Sequence, residues 1–279
     1  HGEGKHQIIA CTNAFHGRTL FTVSVGGQPK YSKDYAPLPA GITHVPFNDI
    51  ATLEATISHK TCAVIIEPIQ GESGILPATQ DYLQAARRLC DKHGALLILD
   101  EVQTGMGHTG KLFAYEHYGV TPDILSSAKA LGSGFPIGAI LTTDKIAPTF
   151  GPGTHGSTFG GNPMACAVGS RAFDIINAPE TLAHVKQQGQ KLQTALREIG
   201  EKTGVFKEVR GIGLLLGCVL TDKYEGKASE ITAAALKHGL MVLVAGANVV
   251  RFAPSLLLND EDMAEGLKRF EAALDEWLA

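Results

Sequence analysis

Short apolar runs, bounded by polar, glycine or proline residues, recur along the first two thirds of the chain. Such runs are typical of strands in a sheet that is covered on both faces. They predict five strands, at residues 8–11, 62–67, 95–100, 124–127 and 138–142. Residues 81–92 lie between the second and third runs and predict a helix, with four side chains on one stripe: Tyr82, Ala85, Ala86 and Leu89. This alternation predicts an α/β fold with a mostly parallel sheet.

The pattern changes after Asn162 and Pro163. Helices are predicted at residues 165–176, 179–202, 229–238 and 260–278, and strands at 214–220, 241–245 and 249–252. Asn259 is the expected N-cap of the last helix, because three acidic residues fill its first turn. We therefore expect a large domain over residues 1–180, incomplete at its N-terminus, and a smaller α+β domain over residues 181–279.

Composition excludes several classes of protein. The 279 residues are 44% hydrophobic and 19% charged with a net charge of −4, which is ordinary for a globular domain and argues against nucleic-acid binding. No apolar stretch approaches the length of a membrane span, and the polar first six residues do not resemble a signal peptide. The five cysteines are widely spaced, which predicts reduced thiols, a cytoplasmic location and no metal site.

An acid and a lysine suggest the chemistry. Asp100 ends the apolar run at residues 95–99, and Lys129 follows 29 residues later in a small, glycine-rich segment. A strand-end carboxylate that pairs with a pyridinium nitrogen, together with a lysine that forms a Schiff base, is what pyridoxal phosphate chemistry requires. Each residue alone is weak evidence, because strand-end acids and solvated lysines are common.

A nucleotide-binding alternative fails on one position. Residues 105–111 match G-x-x-x-x-G-K, but Leu112 stands where a serine or threonine must supply a hydroxyl to Mg²⁺. The match also follows the acid at Asp100 by a few residues, although a phosphate loop should come much earlier in the chain. The glycines of residues 132–134 lack the third glycine of a dinucleotide fingerprint.

Six segments in a fixed order carry a family resemblance. They read NAFHGRT at 13–19, EPIQGE at 67–72, LDEVQTG at 99–105, SAKALGSGFPIG at 127–138, HGSTFGGNP at 155–163 and RFAP at 251–254. Together they resemble the class-III pyridoxal-phosphate aminotransferases, which act on ω-amino groups, over nearly the whole chain. Within that family, residues 26–31 and 118–123 are most similar to the bacterial acetylornithine and succinylornithine aminotransferases. The resemblance implies a fold-type I transferase.

The resemblance assigns cofactor roles. Lys129 would carry pyridoxal 5′-phosphate covalently and move a proton between the substrate and the cofactor, and Asp100 would keep the pyridinium nitrogen protonated. Phe15 and Val102 would enclose the ring, and Gln103 would bind its phenolic oxygen.

Three further residues complete the expected site. Glu101 belongs to the same cofactor-binding motif, although it alternates to the other side of the strand and we expect a structural role. Thr158 would contact the phosphate of the partner subunit's cofactor, which implies a homodimer. Ser157 would lie near the substrate, with a turn-capping hydroxyl as the alternative.

Substrate recognition is assigned to two arginines. Arg18 and Arg251 would bind carboxylates through the planar guanidinium fork. Glu72 would neutralise Arg251 while the amino donor is bound, and would move away when 2-oxoglutarate arrives. The implied reaction is transfer of the terminal amino group of N2-acetyl-L-ornithine, or of succinylornithine, to 2-oxoglutarate. This gives the semialdehyde and L-glutamate.

Departures from the family pattern keep alternatives open. The family's phosphate-binding segment upstream of the first strand is absent, His108 replaces a usual arginine, and Ser133 replaces a glycine. Ser133 is tolerated if its φ is negative and strained otherwise. The alternatives are an ornithine or 4-aminobutyrate aminotransferase, or a truncated, non-catalytic dimerisation module.

Overall fold

A computed structural model describes residues 4–279 of the chain. Its strands are β1 Gln7–Cys11, β2 Ile42–Val45, β3 Thr61–Ile66, β4 Ile69–Gln70, β5 Leu76–Pro77, β6 Leu96–Asp100, β7 Ile124–Ser127, β8 Ala139–Thr142, β9 Phe206–Ile212, β10 Leu215–Leu220, β11 Leu243–Val244 and β12 Val249–Phe252. Its α-helices are α1 Leu20–Val25, α2 Pro29–Ser32, α3 Ile50–Thr56, α4 Gln80–His93, α5 Pro163–Ile176, α6 Pro179–Thr203, α7 Ala228–Lys237 and α8 Asp260–Leu278. Every predicted strand and helix is present, with shifts of a few residues at the ends.

Contacts divide the described chain into two compact units. The first unit contains the described residues up to Pro68 together with Ala78–Met106 and Phe113–Ile175. The second unit contains Ile69–Pro77, Gly107–Leu112 and Ile176–Ala279. The domain boundary at residue 180 stays a prediction, because two short segments from the first half of the chain belong to the second unit.

The first unit is built on a six-stranded sheet in the order β2-β1-β3-β6-β7-β8. All neighbouring strands in it are parallel except β7 and β8, which are antiparallel. This confirms the mostly parallel α/β fold. The prediction that residues 138–142 form a covered parallel strand was wrong, since β8 is antiparallel and its side chains are mostly exposed. An apolar run does not indicate strand direction.

Helix α4 shows how the local sequence positions these strands. Thr79 caps its N-terminus by accepting from the Tyr82 N–H, and Gly94 ends it in the left-handed conformation with φ of 61°. The apolar stripe that predicted the helix is buried, with Tyr82 and Ala86 fully inaccessible. The helix packs on the inner strands, where Leu97 and Leu99 belong to the same core.

The second unit is built on an antiparallel sheet in the order β11-β12-β10-β9. One face of β10, with Leu216 and Cys218, is buried in a core shared with α6, α7 and α8. The other face, with Leu215 and Val219, is buried with Ile69 and Ile75 of the β4–β5 hairpin. The β4–β5 hairpin is therefore a separate two-stranded sheet that packs on this face. Asn259 caps α8 as predicted.

Two further observations concern membranes and thiols. Among residues 4–279, no helix combines the length and the apolar character needed to cross a bilayer. The five cysteines are free thiols; Cys11, Cys90 and Cys218 are buried, Cys62 is half-buried and Cys166 is exposed. Burial raises the pKa of Cys11 to about 11 and of Cys90 to about 12, so both stay protonated at neutral pH.

Candidate functional site

Four segments follow the carboxyl ends of neighbouring parallel strands in the first unit. The segment with Phe15 and His16 follows β1, Glu67 follows β3, Asp100 ends β6, and Lys129 follows β7. In an open α/β sheet these ends meet at one edge, where ligands bind. The Glu67 carboxylate ties two of the segments together, because it accepts from the Phe15 N–H at 3.0 Å.

Asp100 is held as a carboxylate by three donors. His16 Nδ1 donates to its Oδ2 at 2.8 Å, while the Val102 N–H at 3.2 Å and the Ser126 hydroxyl at 3.0 Å donate to its Oδ1. Ser126 is the direct register partner of Asp100 on β7. Burial raises the pKa of Asp100, but the His16 bond and charge and the other donors outweigh burial and leave the pKa below its usual value.

His16 is the contact of Asp100 that sequence reasoning missed. Its side chain is 2% exposed, and its Nε2 is buried with no hydrogen-bond partner among residues 4–279. It stands in the NAFHGRT motif between two residues that were assigned roles, so the signal was present. No periodicity or spacing links it to Asp100, which lies 84 residues away.

Lys129 begins a single 3-10 turn, Lys129–Gly132, immediately after β7. Its side chain is exposed, and its φ is +47°, in the left-handed region that lysine rarely adopts. Such strain persists only where the surrounding structure holds it, and it clusters at functional sites. Ser133, at the end of the same turn, has a φ of +45°, so the strained alternative is the one observed at that position.

Glu101 has a structural role in the described geometry. Its carboxylate accepts from the Ala114 N–H, the Tyr115 N–H and the Thr104 hydroxyl, each at 2.7 Å. The residue is 1% exposed, and burial raises its pKa to about 7 despite these donors. The carboxylate thus holds the loop after β6 to the turn at 114–117, and a contact with the cofactor stays a prediction.

An aromatic and cationic cluster lies near the end of β1. The Arg18 guanidinium lies 5.0 Å from the ring centroid of Tyr31 and 5.9 Å from that of Phe15. The two rings meet edge to face at 5.6 Å. Arg18 is exposed, which suits a side chain that receives a carboxylate from solution.

The other predicted carboxylate-binding residue lies in the second unit. Arg251 on β12 donates from Nη1 to Glu72 Oε1 at 2.9 Å, and their side chains are 13% and 30% exposed. The two residues are separated by 179 positions in the chain. The structure therefore brings together the acid and the arginine that the family pattern pairs.

The glycine-rich loop that follows the 3-10 turn at residues 147–149 is exposed to solvent. Ser157 and Thr158 are exposed, and the Ser157 hydroxyl accepts from the Gly160 N–H at 3.0 Å. This bond fits the turn-capping alternative for Ser157. Val102 and Gln103 are half-buried in the turn after β6. The roles of these four residues toward ligands stay predictions.

The residues at the sheet edge fit pyridoxal phosphate by their chemistry. The ring requires an ionised carboxylate beside its nitrogen, and Asp100 keeps a lowered pKa while largely buried. It also requires an amine on an adjacent strand, and Lys129 lies three residues beyond the register partner of Asp100. The nucleotide alternative finds no support, since residues 105–112 form turns rather than a loop that leads into a helix.

The chain is similar to known aminotransferases. Residues 1–274 match the Aminotransferase class-III family. The chain is 80% identical over 278 residues to the acetylornithine aminotransferase of Neisseria meningitidis serogroup B, covering 100% of this chain and 70% of that protein. It is 59% identical over 274 residues to the succinylornithine transaminase/acetylornithine aminotransferase of Pseudomonas aeruginosa, covering 98% and 68%.

A solved structure agrees with the fold. The ornithine aminotransferase of Toxoplasma gondii, described with partial occupancy of PLP at its active site, superposes with a TM-score of 0.91 and 32% identity. The match covers 97% of this chain and 64% of that one.

Proposed function

Because this chain belongs to the class-III aminotransferases, we propose that it transfers the terminal amino group of N2-acetyl-L-ornithine to 2-oxoglutarate with pyridoxal 5′-phosphate. The products are the semialdehyde and L-glutamate. Succinylornithine is the second candidate donor, favoured by the double name of the Pseudomonas aeruginosa relative.

The Asp100 carboxylate is the observation that carries the proposal. It is largely buried at the end of β6, yet three donors keep it ionised. When bound, pyridoxal phosphate supplies an aldehyde that takes up the amino group and a ring that withdraws electrons from the substrate carbon. An ionised Asp100 stabilises the protonated ring nitrogen, which makes this withdrawal effective.

Lys129 acts as the base and acid of the reaction. Its Nζ would move the proton from the substrate carbon that bears the amino group to the former aldehyde carbon of the bound cofactor, and would move a proton in the reverse direction when 2-oxoglutarate reacts. The turn Lys129–Gly132 fixes where the side chain begins, because its backbone hydrogen bonds and the strained φ restrict the main chain. Phe15, Val102, Gln103 and the Thr158 hydroxyl complete the proposed cofactor contacts.

Glu72 and Arg251 let one site accept two different substrates in turn. The acylated ornithine presents an amine to the reacting centre, so a second unpaired arginine would favour its wrong end. The 2.9 Å pair neutralises Arg251 in that half of the reaction. When 2-oxoglutarate binds, Glu72 releases Arg251, which then binds the α-carboxylate, while Arg18 holds the distal carboxylate of either substrate.

We propose that the enzyme works as a homodimer in the cytoplasm, within arginine metabolism. The dimer is supported by apolar side chains that the single chain leaves uncovered, since Phe159 is 81% exposed and Ile140 is 55% exposed. Phe159 directly follows Thr158, the residue proposed to reach the partner's cofactor. Free buried thiols are typical of a reducing compartment.

A donor panel tests the proposal. The protein is supplied with pyridoxal phosphate and 2-oxoglutarate, and glutamate is measured with acetylornithine, succinylornithine, ornithine or 4-aminobutyrate as donor. We expect kcat/KM for an acylated ornithine to exceed that for the other two donors at least about tenfold. A preference for ornithine or 4-aminobutyrate would contradict the proposal that an acylated ornithine is the amino donor. No turnover, no spectral change and no thermal stabilisation by the cofactor would favour the non-catalytic dimerisation module.

A further inference from the structure

Two arginines flank a glycine on one face of the second unit's sheet. Gly217 on β10 is the register partner of Arg210 on β9 and of Arg251 on β12. Residues directly opposite each other in antiparallel strands present their side chains on the same face. Arg210 and Arg251 therefore stand on the face that carries the β4–β5 hairpin, two strands apart, with no side chain between them.

The hairpin sits closely on this face because residue 217 is a glycine. Ile75 is fully buried there with Leu215 and Val219. A Cβ added at Gly217 would lie 2.9 Å from the Ile75 Cβ, closer than side chains tolerate. Gly217 thus leaves the space that the Ile75 side chain fills.

Each arginine holds the hairpin at a different point. Arg251 binds the Glu72 carboxylate at 2.9 Å, whereas Arg210 Nε donates to the Gly74 backbone carbonyl, also at 2.9 Å. Arg210 Nη1 also donates to Glu208 Oε2 at 3.3 Å, on the same strand. The Arg251–Glu72 contact joins two side chains, whereas the Arg210 contact holds the main chain at Gly74, two residues after Glu72.

The main chain at this point is strained. Ile75 has a φ of +50°, which is a marked outlier for a β-branched residue, and Gly74 before it has a φ of +113°. A conformation of this kind persists only when the surroundings hold it. The buried Ile75 side chain and the Arg210 bond to Gly74 both help to hold it.

We propose that Arg210 is a positioning residue for the exchange between the two substrates. It fixes the backbone of the hairpin, so that Glu72 leaves and rejoins Arg251 by side-chain rotation while residues 74–75 stay in place. This inference rests on the proposed function, since it assigns Glu72 the role of releasing Arg251. It adds a residue that acts through Glu72 and touches neither substrate nor cofactor.

Loss of the Arg210–Gly74 hydrogen bond should affect the two substrates differently. A hairpin that moves as a whole pairs Glu72 with Arg251 less often, which affects the half-reaction that needs the pair. The acylated ornithine should then bind less well, because an unpaired Arg251 competes for its carboxylate. Binding of 2-oxoglutarate should not suffer, because that half-reaction needs the pair open.

Steady-state kinetics of Arg210→Ala test this direction. We expect KM for acetylornithine to rise about five-fold, with kcat and KM for 2-oxoglutarate within about twofold of wild type. Arg210→Lys, which keeps one donor for the Gly74 carbonyl, should recover most of the donor KM. Lys207→Ala is the matched control, because Lys207 lies on the same strand but pairs with Asp222. Equal changes in both KM values, or a loss of kcat alone, would overturn the proposal.

Hydrogen exchange of the unliganded protein gives a readout independent of activity. The backbone amides of residues 69–76 should exchange about tenfold faster in Arg210→Ala than in wild type. In Lys207→Ala their exchange rates should equal those of wild type. If these amides exchange at the wild-type rate in Arg210→Ala, Arg210 does not hold the hairpin. A wild-type protein that uses neither acetylornithine nor succinylornithine refutes the proposed function, while the exchange result still decides whether Arg210 holds the hairpin.

Discussion

The imidazole Nδ1 of His16 lies 2.8 Å from Oδ2 of Asp100, and the two side chains are 2% and 12% exposed. Burial raises the pKa of Asp100, and the His16 contact, together with the Val102 and Ser126 donors, lowers it below its usual value. A carboxyl whose pKa is lower in the folded state adds stability above its unfolded pKa and loses it as the pH falls through the folded pKa.

His16→Ala should therefore be less stable than wild type at neutral pH and less sensitive to acid. Without the His16 contact the pKa of Asp100 is no longer held as low, so the stability deficit of the variant should shrink as the pH falls from 7 to 3. The melting temperature measured from pH 3 to pH 7 checks this. His59→Ala, which removes an exposed histidine, is the control. A constant difference between His16→Ala and wild type across this range would refute the coupling.

Glu101 predicts a pH dependence of the opposite sign. Its pKa is raised from 4.5 to about 7, so between these values the folded state binds a proton that the unfolded state has released. Stability from this group is complete below about pH 4.5 and is lost as the pH rises through about 7. In Glu101→Gln this decline should disappear.

Denaturant unfolding from pH 5 to pH 8 measures the effect. As the pH rises, the unfolding free energy of wild type should fall relative to that of Glu101→Gln. Glu54→Gln, an exposed glutamate on α3, is the control, because Glu54 is not among the groups that shift the pKa of Glu101. A difference that does not change with pH would contradict the raised pKa.

Arg251→Lys should separate the two substrates. Lysine keeps the charge but loses the planar fork that binds a carboxylate through two parallel bonds. We expect KM for 2-oxoglutarate to rise about tenfold, and KM for acetylornithine to change by less than about threefold. Arg269→Lys, on the surface of α8, is the control. If both KM values rise alike, Arg251 does not distinguish the substrates.

Gly217→Ala should lift the hairpin from the sheet. The added Cβ would meet Ile75 and Val249 at 2.9 Å, and overpacking of this kind costs about 1–3 kcal/mol. The measurement is the unfolding free energy in urea. Gly266→Ala is the matched control, because its Cβ has room within α8 and alanine favours a helix. Equal stability of the two variants would show that the hairpin does not need the space at Gly217.

The alternation of apolar runs was enough to predict the α/β fold, since the side chains of the inner strands are buried or half-buried on both faces. It missed the edge strands β2 and β9, the short hairpin of β4 and β5, and the short helices α1, α2 and α3. These elements escaped because an element with exposed side chains or very few residues lacks a clear periodic pattern. The hairpin packs on a sheet more than 100 residues away in sequence, and the 136-residue separation of Arg210 and Gly74 illustrates this.

The site was predicted from ordered motifs rather than from patterning. Asp100 and Lys129 follow strands whose ends share an edge, which sequence reasoning anticipates. The partner of Asp100 could not be predicted in this way, because a hydrogen bond between His16 and Asp100 depends on how β1 and β6 are placed in the sheet. The same holds for Ser126, which reaches Asp100 only through the register of β6 and β7.

The most direct measurement of the central claim is the attachment site of the cofactor. The protein is incubated with pyridoxal phosphate, reduced with borohydride to fix any C=N bond, digested, and analysed by mass spectrometry. We predict one phosphopyridoxyl group per chain, on Lys129, and none in Lys129→Ala. Stoichiometric labelling of a different lysine, with Lys129 unmodified, would contradict the assignment of this site.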